Sequence, residues 1–396
     1  MAENVKPEQA LPGGDHNGAA ASILKMVLAG LAIAYALFHI IQSAYLIVPT
    51  GATKVIHLCG GAVVAALAFG MARGRYARIA ALALALLAAV CLFYILGELN
   101  AYSGARAFRP NDTDMVIAGI LLFTALAVCS IQWGFALPIL AICTLLYAYY
   151  GALLPGELFW HGGIGLNRLL GYTSIPFFNG MLGGLTELSA STVILFLIFG
   201  AALTHTGGAD LIVRFASRVG RRQRSGPAQM AVVSSGLMGM ISGSTVANVV
   251  STGALTIPMM RKHGYSANFA GAVESVASMG GQITPPIMGL AAFLIVTLAG
   301  VPYLDVIAAA ALPAAIYYGY LITAVNLRAA AVGLEPAKDD DDELANIKLQ
   351  LKDITVGIGI AVLVWLLVSG MPPGYAAMLA TITLLALWAL AVLADN

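Results

Sequence analysis

The chain has 396 residues, 60% of them hydrophobic and 10% charged, with a net charge of +1. Soluble domains carry about 25% charged residues, so this composition excludes a soluble globular protein and predicts an all-α polytopic membrane protein. The balanced charge gives no basis for a nucleic-acid partner, and Cys59, Cys91, Cys129 and Cys143 sit in apolar stretches without C-x-x-C spacing, as small packing residues do.

Residues 1–22, with Pro, Gly, Asp and Asn, read as a disordered N-terminus. The apolar run that follows is too long for the core of a cleaved signal peptide, so it is expected to be retained. Spans are predicted at 23–48, 55–72, 79–96 and 115–131, and residues 23–133 together read as a four-helix scaffold. Arg73, Arg75 and Arg78 mark a cytoplasmic loop. That orientation puts the N-terminus in the cytoplasm and the polar stretch 98–114 outside. His39 reads as a satisfied interhelical side chain, and Trp133 as an interfacial anchor.

Residues 135–151 are a fifth span, and 189–204 a sixth. Between them, residues 154–188 hold several Gly and Pro and read as short amphipathic pieces at the outer interface. Residues 210–224 read as a membrane-surface helix. Leu211, Ile212, Phe215 and Val219 fall at helical spacing, with Arg214, Arg218, Arg221 and Arg222 beside them.

The stretch 224–266 is apolar at its ends and small and polar in its middle. Basic residues flank it, Arg218, Arg221, Arg222 and Arg224 before, Arg261 and Lys262 after. With both flanks on the cytoplasmic side, the segment enters the membrane and returns. Each arm has roughly 16 residues, about 24 Å at ~1.5 Å per residue, short of the ~20 residues a full span needs. The reading is a re-entrant hairpin over 226–262 with Ser242, Gly243, Ser244 and Thr245 at its tip. Non-helical backbone at such depth is tolerated only where it is buried in protein or lines a cavity. A Gly/Ser/Thr tip offers the carbonyls, hydroxyls and helix ends that hold ions or anionic substrates in secondary transporters. The alternative is a tightly packed helix pair whose small residues only permit close approach.

Residues 265–300 are too long for one straight span and are interrupted by Gly280-Gly281-Gln282-Ile283-Thr284-Pro285-Pro286. Two irregular segments are therefore expected at matching depth, near the midplane. Glu274 lies about two turns before the break, at ~3.6 residues per turn. An acid inside a span is a candidate for coupling or gating; the alternative is a structural partner for a Ser, Tyr or Lys on a neighbouring helix. Residues 303–325 are a further span, with Asp305 read as interfacial. Residues 335–353, with the acidic run 339–343, read as a cytoplasmic linker that lacks the spacing and Gly of an EF-hand. Residues 354–368 and 375–393 are the last spans. The architecture is thus about ten transmembrane helices plus one re-entrant hairpin and one broken helix. Neither H-E-x-x-H nor G-x-x-x-x-G-K-[ST] occurs, so no enzyme and no cofactor are expected.

The run ISGSTVANVVSTGALTIPMMRKHGYSANFAGAVESVASMGGQITPPIMG, Ile241 to Gly289, resembles the first hairpin and broken helix of the large permease subunit of tripartite ATP-independent periplasmic (TRAP) transporters. The stretch with Glu274 and GGQITPP most resembles the branch served by TAXI-type binding proteins, in which small and large membrane subunits are often fused. Residues 134–334 are similar to the first repeat of the large subunit, 354–396 to the start of the second, and the four early spans to the small subunit. The resemblance implies a permease in the bacterial inner membrane that receives an organic acid from a periplasmic substrate-binding protein. It implies import by an elevator motion coupled to a sodium or proton gradient. By position, Ser242, Gly243, Ser244, Thr245 and Asn248 would form an ion and substrate cradle, with sodium at Ser242, Ser244 and Asn248. Gly280, Gly281, Gln282 and Thr284 would face them. Such permeases have two inverted repeats, whereas S-G-S-T and G-G-Q-x-T-P-P each occur once here. The expectation is a truncated sequence, completed by a missing second-repeat portion. The competing readings are a non-transporting membrane scaffold or remnant and an anion symporter that needs no binding protein.

Overall fold

The computed structural model describes residues 18–104, 106, 110–174, 180–219, 223–336 and 351–395. Among these no strand occurs, and eight helices are long and apolar enough to cross a membrane. The chain forms two compact units, Met1–Leu37 with Val55–Gly180, and Phe38–Lys54 with Met181–Asn396.

The first unit draws on α1 (Gly18–Tyr45), α2 (Thr50–Met71), α3 (Arg75–Gly97), α4 (Asp112–Trp133), α5 (Ala136–Tyr150) and α6 (Leu166–Ser174). α1 begins inside the stretch assigned to the disordered N-terminus, while residues 1–17 lie outside the described ones. Small residues let α2, α3 and α4 approach closely: Ala66, Leu84 and Ala85 are buried against Val63, Leu67, Ala127, Val128 and Ile131. A π turn at Ile56–Gly60 brings His57 under Tyr35, whose hydroxyl lies 2.8 Å from Nδ1 and donates to the His57 carbonyl at 2.9 Å.

One carboxylate gathers polar side chains from α3, from the chain after it and from the start of α4. Asn111 and Asp114 form a capping box at the start of α4. Asp114 also accepts from the hydroxyls of Tyr94 (2.9 Å) and Tyr102 (2.8 Å) and from Arg106 (3.1 Å). Burial, then the neighbouring carboxylate, hold the Tyr102 hydroxyl above the usual phenol range.

In the second unit, α7 (Ile194–Leu203) leads through a π turn to a kink at Gly207, whose φ of 104° suits glycine, and then into α8 (Ala209–Val219). α9 (Gly226–Ser242) and α10 (Thr245–Lys262) form an antiparallel pair, followed by α11 (Ala267–Gly281), α12 (Leu290–Ala299), α13 (Tyr303–Val332), α14 (Leu351–Val368) and α15 (Pro373–Asp395). The core has two parts. One packs Phe196, Phe199, Ile287, Phe293, Leu363 and Leu384; the other packs Val232, Met260, Val273 and Val325.

α8 differs from a free surface helix. Ile212 and Ala216 are buried in this unit, and Arg214 donates to Asp353 of α14 at 2.6 Å. The apolar face that the spacing assigned to lipid therefore packs partly on protein. Arg221 and Arg222, and the acidic run 339–343, lie outside the described residues.

Candidate functional site

α9 has 17 residues and α10 has 18. At ~1.5 Å per residue each arm is about 26 Å long, less than the ~30 Å hydrocarbon core. The turn between them is two residues. Gly243 adopts a left-handed conformation (φ 61°) and returns its N–H to the Gly239 carbonyl at 3.0 Å, closing α9. Ser244 is extended, and its hydroxyl accepts from Ala247 N at 3.3 Å, opening α10. Ser242 is the last residue of α9, and Thr245, half-buried, the first of α10.

α11 starts at a second serine cap, Ser266, which accepts from Phe269 N, and ends at Gly281. Its last turn tightens: Gln282, Ile283 and Thr284 return their N–H groups to Met279, Gly280 and Gly281 at 3.1–3.2 Å. Pro285 and Pro286 supply no N–H, so the helix cannot continue. Gly289 N reaches back to the Gln282 carbonyl at 2.7 Å, and α12 begins. Tyr303 at the start of α13 donates to the freed carbonyls of Pro286 (3.0 Å) and Ile287 (2.7 Å).

The two irregular segments meet. Gln282 Nε2 donates to the Gly243 carbonyl at 3.3 Å. Below them the backbones of α9 and α11 touch, since a Cβ on Gly281 would lie 2.5 Å from Gly239 Cα. A Cβ on Gly280 would meet the ring of Tyr317 and the hydroxyl of Tyr318. Two helix C-termini and two helix N-termini thus converge, which sets carbonyl oxygens beside free N–H groups.

Asn248 and Thr284 are placed differently from the tip. Asn248 is fully buried between the arms, and its Nδ2 donates to the Ser235 carbonyl at 2.6 Å. The Thr284 hydroxyl bonds its own helix, at Gly280 O. Glu274 is fully buried, and it faces the body of the hairpin, not the break. Its Oε1 accepts from Ser235 Oγ (2.6 Å) and Thr252 Oγ1 (2.5 Å), with Ser278 Oγ at 3.4 Å, and its Oε2 accepts from Thr256 Oγ1. Ser235, Thr252 and Thr256 are absent from the sequence reading. The signal was present in the spacing Asn248, Thr252, Thr256, which puts three polar side chains on one helix face.

A cavity of about 550 Å³ opens beside the break, lined by Gln282, Ile283, Met288, Ala292, Asp305 and Pro313. Its walls are mostly apolar and Asp305 would repel a carboxylate, so the anion-favouring part of this region is the pair of helix N-termini.

Residues 119–394 match the family profile described as tripartite ATP-independent periplasmic transporter, DctM component. The chain is 30% identical over 199 residues to the uncharacterized protein y4mL of Sinorhizobium fredii, covering 50% of this chain and 42% of that one. It is 35% identical over 130 residues to the C4-dicarboxylate TRAP transporter large permease protein DctM of Vibrio cholerae, covering 33% and 27%. To the protein of the same name from Rhodobacter capsulatus it is 25% identical over 114 residues, covering 29% and 26%. These alignments span less than half the length of each relative. The profile takes in the hairpin, the break and every helix from α5 onward, and the chain belongs to the DctM family of TRAP transporter permeases.

Proposed function

We propose that this chain is the membrane permease part of a binding-protein-dependent secondary transporter that imports an organic acid of the C4-dicarboxylate type. A periplasmic substrate-binding protein, of the TAXI type, delivers the acid. A sodium or proton gradient drives an elevator motion of the hairpin and broken helix, and a second-repeat portion completes the site. The observation that carries this reading is the junction of the two irregular segments at Gly243 and Gln282.

The geometry suits both cargoes. The N-termini of α10 and α12 offer N–H groups and partial positive charge to a carboxylate. The C-termini of α9 and α11 offer carbonyl oxygens, which hard cations prefer. In this reading Ser242, Ser244 and Asn248 ligate sodium. Asn248 uses Oδ1, because its amide nitrogen is held by Ser235 O. Gly280, Gly281, Gln282 and Thr284 close the other side, where the absence of Cβ at the two glycines lets the backbones approach.

The test is uptake of radiolabelled succinate by proteoliposomes holding the complex purified from native membranes, with its binding protein added. Uptake should require the binding protein and an inward sodium or proton gradient. Ser244→Ala and Asn248→Ala should lower it by about tenfold or more while the variants still insert and assemble. Unchanged uptake in both variants, or variants that alter assembly alone, would make the chain a scaffold.

A further inference from the structure

A second cavity in the second unit belongs to neither the hairpin nor the break. Its volume is about 510 Å³, within the ~300–1,000 Å³ usual for ligand sites. Three chain reversals build it: residues 46–50 between α1 and α2, the helix Gly184–Leu188 with the π turn Ser189–Val193 that follows, and residues 371–374 leading from α14 into α15. Its walls are fixed. Gln42 uses both ends of its amide on Val48, donating to the carbonyl at 2.8 Å and accepting from the N–H at 3.0 Å. The fully buried His39 donates from Nδ1 to the Ala190 carbonyl at 3.0 Å. Gly374 sits on the backbone of the π turn, where a Cβ would lie 2.1 Å from Ser191 O.

The surface of the cavity is mostly apolar, with one pair of opposite charges. Lys54 Nζ lies 3.3 Å from Glu187 Oε2. Lys54 is largely buried and has three donors; Glu187 is half-exposed and keeps oxygen surface for a further donor. Leu46, Met371 and Tyr375 line the cavity and are themselves exposed, so it opens through apolar side chains. α14 gives the depth. Its first turn holds Asp353, bonded to Arg214 of α8, and the chain past its other end forms the wall at Met371. Its 18 residues span about 27 Å at ~1.5 Å each, close to the ~30 Å hydrocarbon core. The cavity and the basic helix α8 therefore lie toward opposite membrane surfaces, and the cavity is at the level of the lipid head groups.

We propose that this cavity binds one phospholipid of the outer leaflet, with a phosphoethanolamine head group. The phosphate pairs with Lys54 and the ammonium with Glu187, so head group and side chains form a ring of four alternating charges. The glycerol and the first acyl carbons follow the apolar walls out past Leu46 and Met371. A primary ammonium donates hydrogen bonds to a carboxylate, whereas a trimethylated one has no N–H to donate, and a phosphoglycerol head group brings no cation to Glu187. The outer leaflet follows from the preference of basic residues, here Arg214 and Arg218, for the cytoplasmic side. Binding makes no covalent bond, and the site does not rest on the import function proposed above.

The test is lipid binding by the purified complex, stripped of lipid in detergent. Dioleoyl phosphatidylethanolamine, phosphatidylcholine and phosphatidylglycerol are titrated separately, with native mass spectrometry and thermal stability as readouts. The wild type should bind one phosphatidylethanolamine more tightly than either other lipid and be stabilised by it. Lys54→Met should weaken that binding by about tenfold or more, and Lys54→Arg should keep most of it. Glu187→Gln should remove the preference for ethanolamine over the other head groups. Ser191→Leu, which fills the space and leaves both charges in place, should weaken binding without breaking the ion pair. Equal binding of the three lipids by the wild type, or a preference that survives these variants, would overturn the site. Stabilisation by soluble phosphoethanolamine as large as that by the lipid would overturn the lipid assignment, since the apolar walls would then contribute nothing.

Discussion

Asn248 has two chemically different ends, and the fold uses them differently. Its amide nitrogen fixes the α9 backbone at Ser235, while its oxygen lies beside Thr252. Asn248→Leu should leave the Ser235 carbonyl without that donor in a fully buried position and cost about 1–3 kcal/mol, read as a lower melting temperature of the purified complex. Asn248→Asp should be at least as damaging at neutral pH, because it sets a second acid beside the Glu274 cluster. Asn248 was a candidate through its position in the run that resembles the first hairpin of the TRAP large permease subunit. The sequence did not show which way the side chain faces, since Ser235, the partner, lies on the other arm. The same limit applies to Glu274, where coupling or gating stood against a structural partner for a Ser, Tyr or Lys, and the three hydroxyls that meet it come from two separate helices.

At the scale of elements, glycines divide into those that permit contact and those that do not. Gly281 sits against Gly239 backbone to backbone, so Gly281→Ala forces α9 and α11 apart and should cost about 1–3 kcal/mol. Gly271, on the same helix, has open space around its missing Cβ, and Gly271→Ala should stabilise by roughly 0.5–1 kcal/mol through helix propensity alone. Thermal melts of the two variants check the contrast, and equal effects would contradict the packing argument. α8 shows a different limit. Its periodicity read correctly as amphipathic, but the pairing of Arg214 with the buried Asp353 joins residues far apart in sequence. Arg214→Ala should cost about 3–5 kcal/mol by leaving Asp353 without its guanidinium, and the apolar pair Arg214→Met with Asp353→Leu should recover much of that loss. The hairpin and the break were readable because Gly, Pro and small polar residues interrupt apolar runs. The convergence of Tyr94, Tyr102 and Arg106 on Asp114 was not, because a capping box next to two tyrosines looks like any polar loop.

At the scale of the whole molecule, composition alone fixed the class, and the family profile, matching residues 119–394, places it among TRAP permeases of the bacterial inner membrane. Composition does not say how helices join. The long apolar run from Gly184 to Arg218 is continuous in length, yet it turns at Gly207 and changes role there. The Glu274 cluster has a mechanical consequence. Its bonds reach both arms of the hairpin, Ser235 on one and Thr252 and Thr256 on the other. The arms are laced across a third helix, and they cannot part like a jaw without stripping a buried acid of its donors. The three helices are therefore bound into one wedge, so that a force applied at the hairpin tip is borne by α11 as well as by the two arms.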